Sequence, residues 1–344
     1  MSYWRGLGQS VKKAFWLSLS LLVRRRKQKV ELPINFAAIR SILVIRPDRL
    51  GDVILSTPVY ESIKRSFPRI HLTVLANQTP ILANNPFIDR IISFDKKRPW
   101  RVLRELSVGK FDLVIVLNRA FSATAAMLAL LSKAPLRVGY ETREGMGVYN
   151  ITLAGRKEPQ HEIQNNLDLL RHIGVPTIHD TPSIHFNDAE TRKMDALLKE
   201  KNRFPERPLI LIKPGTRVPA WGWPWEKFQA VCDRLLAEQR AEVFIIQGPG
   251  EEAMINSFFR AGVILPTLST KELACVIRRS RLLFCNHTGI MHIASAVQTP
   301  ALVIFKHGEI ARWGPYNTRY RILEERNGDT LSVEKVLATI DDIL

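Results

Sequence analysis

The sequence predicts an α/β protein of two doubly wound, Rossmann-like domains facing a cleft. From residue 41 onward, short β-rich apolar runs alternate with longer amphipathic stretches, the pattern of βα units around parallel sheets. The alternation pauses near residues 176–188 and then restarts, and 344 residues suit two cores better than one. Folds of this class bind ligands at the C-terminal ends of their strands, which is where the cleft would lie.

The first strand is Ser41–Arg46. A helix over Asp52–Phe67 follows, its apolar face made by Val53, Leu55, Val59 and Ile63 and its end set by Pro68. Strands are predicted at His71–Ala76, Arg90–Phe94 and Phe111–Leu117. After a polar stretch containing Pro176 and Pro182, strands resume at Pro208–Ile212, Glu242–Ile246, Arg281–Cys285 and Ala301–Phe305. A last helix beyond Gly328 is capped by Ser332 and turns Val333, Val336, Leu337, Ile340 and Ile343 to one face. The expected divisions are therefore an N-terminal segment (1–35), a first domain (36–175), a linker (176–188), a second domain (189–327) and a closing helix (328–344).

Composition places the chain among globular proteins, with 46% hydrophobic and 24% charged residues. Cys232, Cys275 and Cys285 form neither a disulfide framework nor a zinc pattern, which fits a reducing compartment. The net charge of +17 calls for an anionic partner: nucleic acid, a membrane surface or a phosphorylated substrate. Arg5, Lys12, Lys13, Arg24, Arg25, Arg26, Lys27 and Lys29 concentrate much of it before the first strand, with no acid among them. Between these basic clusters the apolar run Ala14–Val23 is too short to span a bilayer, and no cleavage site follows it. It predicts a helix in the membrane interface, with Trp16 at headgroup level; a basic arm is the alternative. The aromatic and leucine content argues against nucleic acid. The expected location is cytoplasmic, peripheral on the inner face of the cytoplasmic membrane.

Four strand-to-helix turns carry candidate chemistry. In Ile45-Arg46-Pro47-Asp48-Arg49-Leu50-Gly51-Asp52, Asp52 stands at a helix N-terminus. It either caps that helix or serves as a general base for an attacking hydroxyl. In Cys285-Asn286-His287-Thr288-Gly289-Ile290-Met291-His292, the backbone N–H groups near Thr288 and Gly289 open a helix suited to a diphosphate. His292 lies one turn in, as a site residue or a satisfied core histidine, and no metal-ligand spacing is present.

The third turn, Lys213-Pro214-Gly215-Thr216-Arg217 through Trp221-Gly222-Trp223-Pro224, offers Thr216 and Arg217 to the same place. The fourth, Gly248-Pro249-Gly250-Glu251-Glu252-Ala253, imitates a dinucleotide fingerprint, but Pro249 and the lack of a later strand-end acid weaken that likeness. Glu251 or Glu252 on ribose hydroxyls is the milder use. The chain contains no D-x-D triplet, G-x-S-x-G or P-loop signature, which argues against a manganese-bridged diphosphate, a serine hydrolase and a P-loop enzyme.

The segments Ile45–Pro58 and Asn286–His292 together resemble the lipopolysaccharide heptosyltransferase family. So do Asn85-Pro86 with Ile88-Asp89, His161-Glu162 with Asn166–Leu170, Trp223-Pro224, and Arg312–Pro315. The resemblance runs from residue 41 nearly to the end. It implies a GT-B fold and metal-independent, inverting sugar transfer without a cofactor, with an ADP-heptose-like donor on the second domain and the acceptor on the first. It further implies Asp52 as catalytic base, Arg49 and Gly51 on the acceptor-side loop, and Thr216, Thr288, Gly289 and His292 around the donor phosphates, with Glu251 or Glu252 on the ribose.

Two positions depart from the family pattern. His287 stands where an aspartate often occupies the sugar pocket, and Trp221 where a lysine usually precedes the Trp-Pro pair. Arg217 is then the nearest replacement cation; Trp221 stacks on base or sugar, or packs on Trp223 or Pro224. The function predicted is transfer of a heptose or similar sugar to a lipid-linked core oligosaccharide. The alternative is a catalytically weakened homologue that binds a glycolipid or partner without transfer.

Overall fold

The computed structural model describes residues 30–95, 97–145, 147–325 and 330–344. The basic run of the predicted membrane segment, residues 1–29, lies outside them, as does Gly328. Among the described residues no helix is long and apolar enough to cross a membrane. The chain divides into two compact units, Met1–Thr79 with Asn85–Asp180, and Pro80–Asn84 with Thr181–Leu344.

The first unit contains β1 (Ser41–Arg46), α1 (Leu50–Ile54), α2 (Thr57–Ser66) and β2 (His71–Ala76). After α3 (Thr79–Leu82), which crosses into the second unit, come β3 (Arg90–Ser93), α4 (Pro99–Val108), β4 (Leu113–Val116) and α5 (Ala123–Leu131). β5 (Leu136–Tyr140), β6 (Ile151–Leu153) and α6 (Glu162–His172) complete it. The second unit runs α7 (Asp188–Lys201), β7 (Leu209–Lys213), α8 (Trp225–Ala237), β8 (Glu242–Ile245), α9 (Glu252–Phe258), β9 (Val263–Ile264) and α10 (Thr270–Arg279). It then continues through β10 (Leu282–Asn286), α11 (Ile290–Val297), β11 (Ala301–Phe305), α12 (Ile310–Trp313), β12 (Tyr320–Glu324) and α13 (Val333–Ile343).

Each unit holds one six-stranded sheet, ordered β3-β2-β1-β4-β5-β6 and β12-β11-β10-β7-β8-β9. Every strand pair in them is parallel. In each sheet the chain winds outward from the first strand and then reverses, which puts a topological switch point between β1 and β4 and another between β7 and β10. Crevices form at such points because the helices on either side turn away from each other. The central strands are buried on both faces, so they read as unbroken apolar runs; Ile42, Leu43, Val44 and Ile45 expose no surface.

The helix expected over Asp52–Phe67 is two helices, α1 and α2. Pro58 has no N–H to return to Ile54, so the Thr57 hydroxyl donates to the Ile54 carbonyl instead at 2.8 Å. Ser56 Oγ contacts the Val53 carbonyl in the same way at 2.7 Å. Strands β5, β6, β9 and β12 were not among those predicted. They lie at or next to sheet edges, where apolar continuity fails; β12 is exposed at three of its five positions.

The closing helix α13 follows Ser332, whose side chain accepts from the Lys335 N–H at 3.2 Å. Val336, Leu337, Ile340 and Ile343 enter the core of the second unit around Trp223 and Phe228. Ser332→Ala is expected to cost about 1 kcal/mol, the usual worth of an N-cap, as a shift in the urea midpoint.

Candidate active site: clusters at two switch points

In the first unit β1 ends in Arg46, which the parallel register sets beside the end of β4 at the switch point. The side chain is 2% exposed. Its NH1 donates to the Leu117 carbonyl at 2.7 Å, and its NH2 donates to Asp52 Oδ1 at 2.7 Å and to Glu162 Oε1 at 2.9 Å. Nε faces Asp48 Oδ2 at 3.3 Å, an ion pair without hydrogen-bond geometry. Burial opposes the guanidinium charge, yet Asp52, Glu162 and Asp48 together hold its pKa above the ordinary value. Burial pushes the Asp48 carboxyl up, with Arg46 and the Asn118 amide pulling the other way.

Asp52 does not cap its helix. Arg49 occupies the N-cap of α1 without a side-chain bond, and Asp52 stands in the first turn, tied to Arg46. Arg49 is exposed and Gly51 buried. Glu162, the first residue of α6, is 1% exposed, and its second oxygen accepts from Asn165 Nδ2 at 3.1 Å. Both Arg46 and Glu162 fall in family-like segments, but no role was predicted for either. A polar residue ending an apolar strand was the available signal for Arg46; nothing local marks Glu162 as its partner.

In the second unit the turns after β7, β8 and β10 come together. Lys213 ends β7 and is buried, and its Nζ donates to Glu251 Oε1 at 2.9 Å and Oε2 at 2.7 Å. Burial lowers the Lys213 pKa, with Glu251 opposing it. Glu251 also accepts from the Gly248 N–H at 2.8 Å. A Cβ on Gly215 would collide with both Glu251 and Lys213, so glycine there is what lets the pair close. Gly250 has φ +80°, a left-handed conformation that favours glycine. Glu252 turns elsewhere and accepts from the Thr267 hydroxyl at 3.1 Å. The two glutamates left open by the sequence thus have different surroundings.

Asn286 ends β10 and exposes no surface. Its Nδ2 donates to the Pro214 carbonyl at 2.6 Å and its Oδ1 accepts from the Trp223 N–H at 2.9 Å, which locks the β7 turn to β10. Thr216 lies against Gly222, and its hydroxyl donates to the Val218 carbonyl at 2.5 Å. Arg217 on the same turn is exposed.

His287 stacks on Phe305, ring centroids 4.1 Å apart, and its Nδ1 lies 2.9 Å from the His307 carbonyl, which requires the proton on Nδ1. Burial lowers the His287 pKa, against the pull of that carbonyl. Trp221 stacks on the His307 ring, with the centroids 4.4 Å apart. Trp223 belongs to the core, 1% exposed, with its indole N–H on the Leu331 carbonyl. Gly289 is the N-cap of α11, and the Thr288 hydroxyl is buried with no hydrogen-bond partner among the described residues. His292 is buried in the first turn of α11.

A cavity of about 330 Å³ in the first unit, lined by Tyr140, Arg156, Asp168 and Arg171 among others, contains none of the predicted residues. Arg156, Arg171 and Gln160 already hold the Asp168 carboxylate there. Among the described residues, no group of three or more His, Cys, Asp or Glu is placed to hold a metal ion.

The family model for glycosyltransferase family 9 (heptosyltransferase) matches residues 99–339. Lipopolysaccharide heptosyltransferase 3 of Escherichia coli is 24% identical over 332 residues, covering 86% of this chain and 96% of that protein. The fold is similar to that of a glycosyl transferase family 9 protein from Veillonella parvula DSM 2008, with TM-score 0.80 and 22% identity over 88% of this chain and 97% of that one. It is also similar to Escherichia coli ADP-heptose LPS heptosyltransferase II, with TM-score 0.74 and 19% identity over 88% and 98% of the two chains. These likenesses give the two parallel α/β units a GT-B-like fold.

Proposed function

Because the chain belongs to glycosyltransferase family 9, the heptosyltransferase family, we propose that it moves a heptose or similar sugar from an ADP-type donor to a lipid-linked core oligosaccharide of lipopolysaccharide. The observation that carries the proposal is the Asp52 carboxylate at the β1–β4 switch point, oriented by a buried guanidinium through Oδ1. That pair does not use Oδ2, which is suited to take the proton of an acceptor hydroxyl as its oxygen attacks the anomeric carbon. The sugar–phosphate bond breaks as the new bond forms, inverting the centre, and the nucleoside diphosphate leaves with the bonding pair.

The second unit supplies groups for that leaving charge. The α11 N-terminus presents backbone N–H groups, and the unpartnered Thr288 hydroxyl lies beside them. Lys213 and Arg217 are the cations of the β7 turn, Thr216 lies on the same turn, and His292 would be a further donor-side group from α11. Glu251 would exchange its bond with Lys213 for the ribose hydroxyls, whereas Glu252 is held by Thr267. His287 and the Trp221–His307 stack would form the wall against the transferred sugar. Arg49 and Gly51 would flank the acceptor. The basic residues of 1–29 would hold the enzyme to the inner face of the cytoplasmic membrane, where a lipid-linked acceptor is reached.

Calorimetry with ADP and with adenosine tests the donor side. Lys213→Met and Arg217→Ala are each expected to weaken ADP binding by about 1.5–3 kcal/mol, the range for a charged hydrogen bond, and to leave adenosine binding nearly unchanged. Equal losses for both ligands would make Lys213 a structural residue. Undiminished ADP affinity in Arg217→Ala, with a gain in Trp221→Lys, would mean that the family's charge was lost, not relocated. A panel of nucleotide sugars with mass analysis of the product tests transfer itself; donor binding without any product would favour the weakened homologue.

A further inference from the structure

The first unit carries an exposed apolar face with basic flanks on α4 and α5. Eleven large hydrophobic side chains are exposed among the described residues, and five of them lie on these two helices: Trp100, Leu103, Val108, Met127 and Leu131. Trp100 is 61% exposed and Val108 70%. Scattered exposed hydrophobics need no explanation, but clustering of this kind does.

The helices are neighbours with a shared inner side. Val102 and Leu106 of α4 enter the same core as Ala125, Ala126, Leu128 and Ala129 of α5, so both outer faces point away from the sheet on one side. On α4, positions 100, 103, 104 and 107 follow helical spacing along the outer face, which places Arg104 between Trp100 and Leu103 on one flank and Val108 on the other. Arg98, Arg101, Arg104 and Lys133 are all exposed around the patch. The nearest acid on the helix, Glu105, is paired with Arg90. Helix α5 carries no charged residue at all, although part of it faces out.

We infer that this face is a docking surface for an anionic lipid bilayer. Tryptophan and leucine interleaved with arginine suit the boundary between headgroups and acyl chains, where the rings and alkyl stems sink and the guanidinium groups stay on phosphate. A nucleic acid would leave the leucines and Met127 unused, and the basic residues around the apolar centre match the phosphate layer that borders the acyl chains of a bilayer. The inference uses the reading of a lipid-linked acceptor only for its purpose. Binding of a bilayer to the patch requires neither donor nor acceptor.

Single cysteines replacing Leu103 and Met127 in the full chain, each carrying an environment-sensitive fluorophore, report the contact directly. The native Cys232, Cys275 and Cys285 are buried and would not compete for label. Phosphatidylglycerol–phosphatidylethanolamine vesicles should blue-shift both probes and leave a probe at exposed Met254, on the second unit, unchanged. Pure phosphatidylcholine should give a much smaller shift. Arg101→Gln and Arg104→Gln should each weaken affinity for the anionic vesicles about fivefold at low salt, with ADP binding as in the wild type. The inference is overturned if the chain does not bind these vesicles, or binds them with both probes silent, as attachment through residues 1–29 alone would give. It is equally overturned if the probes shift with protein concentration in the absence of lipid, as a second copy would cause, or if soluble DNA shifts them as strongly as the vesicles do.

Discussion

Asp52→Asn is expected to lower turnover by roughly 100-fold or more, the usual cost of losing a general base. The substitution keeps the size of the side chain and an oxygen that can accept from Arg46, so the local structure has little reason to move. It removes the group that would receive the acceptor proton. ADP affinity should stay near the wild-type value, because Asp52 belongs to the first unit and the proposed phosphate-binding groups to the second. A kcat measurement at saturating donor, paired with ADP calorimetry, separates the two effects. Turnover close to wild type would reduce Asp52 to a partner of Arg46.

Arg46→Met should produce the largest loss of stability, about 3–5 kcal/mol near neutral pH. It would take away the guanidinium that pairs with Asp48, Asp52 and the almost fully buried Glu162. The sign of the pH dependence follows from burial. In the variant the carboxyls would be harder to ionise in the folded state than in the unfolded chain, so the deficit is complete at neutral pH. It shrinks as pH falls toward about 4, where the unfolded carboxyls also bind protons. Urea unfolding between neutral and acidic pH measures this. Arg46→Met combined with Glu162→Gln should regain part of the loss, since it removes one uncompensated charge. A flat difference across that pH range would show that lost packing, not charge, accounts for the destabilisation.

The turn between Arg46 and Asp52 was legible because everything it needs is local: an apolar strand, a tight turn and a helix within a dozen residues. The same holds for Thr288 and Gly289 at the start of α11. The helix break at Pro58 could have been foreseen from the missing N–H, but Val59 and Ile63 continue the apolar period across it. For the proposed donor site, Arg217 is the cation that the sequence offers once Trp221 stands where a lysine is expected. Lys213, which in sequence looks like the polar end of a strand, is a second cation on that turn. Its burial and its pairing with Glu251, 38 positions later, depend on β7 and β8 lying side by side.

The sequence by itself determined the fold class, the interior strands and the turns where chemistry is possible, because burial on both faces writes itself as apolar continuity and helix ends as local punctuation. It also placed the chain near its family before any coordinates. Tertiary structure alone decided which charges meet. Arg46 and Glu162 are 116 positions apart, and Asn286 joins a carbonyl 72 positions earlier. Such pairs form where a sheet reverses its winding and brings the ends of strands distant in sequence into register. Hydrophobic periodicity records which side of a strand is buried, but not which strand will lie beside it.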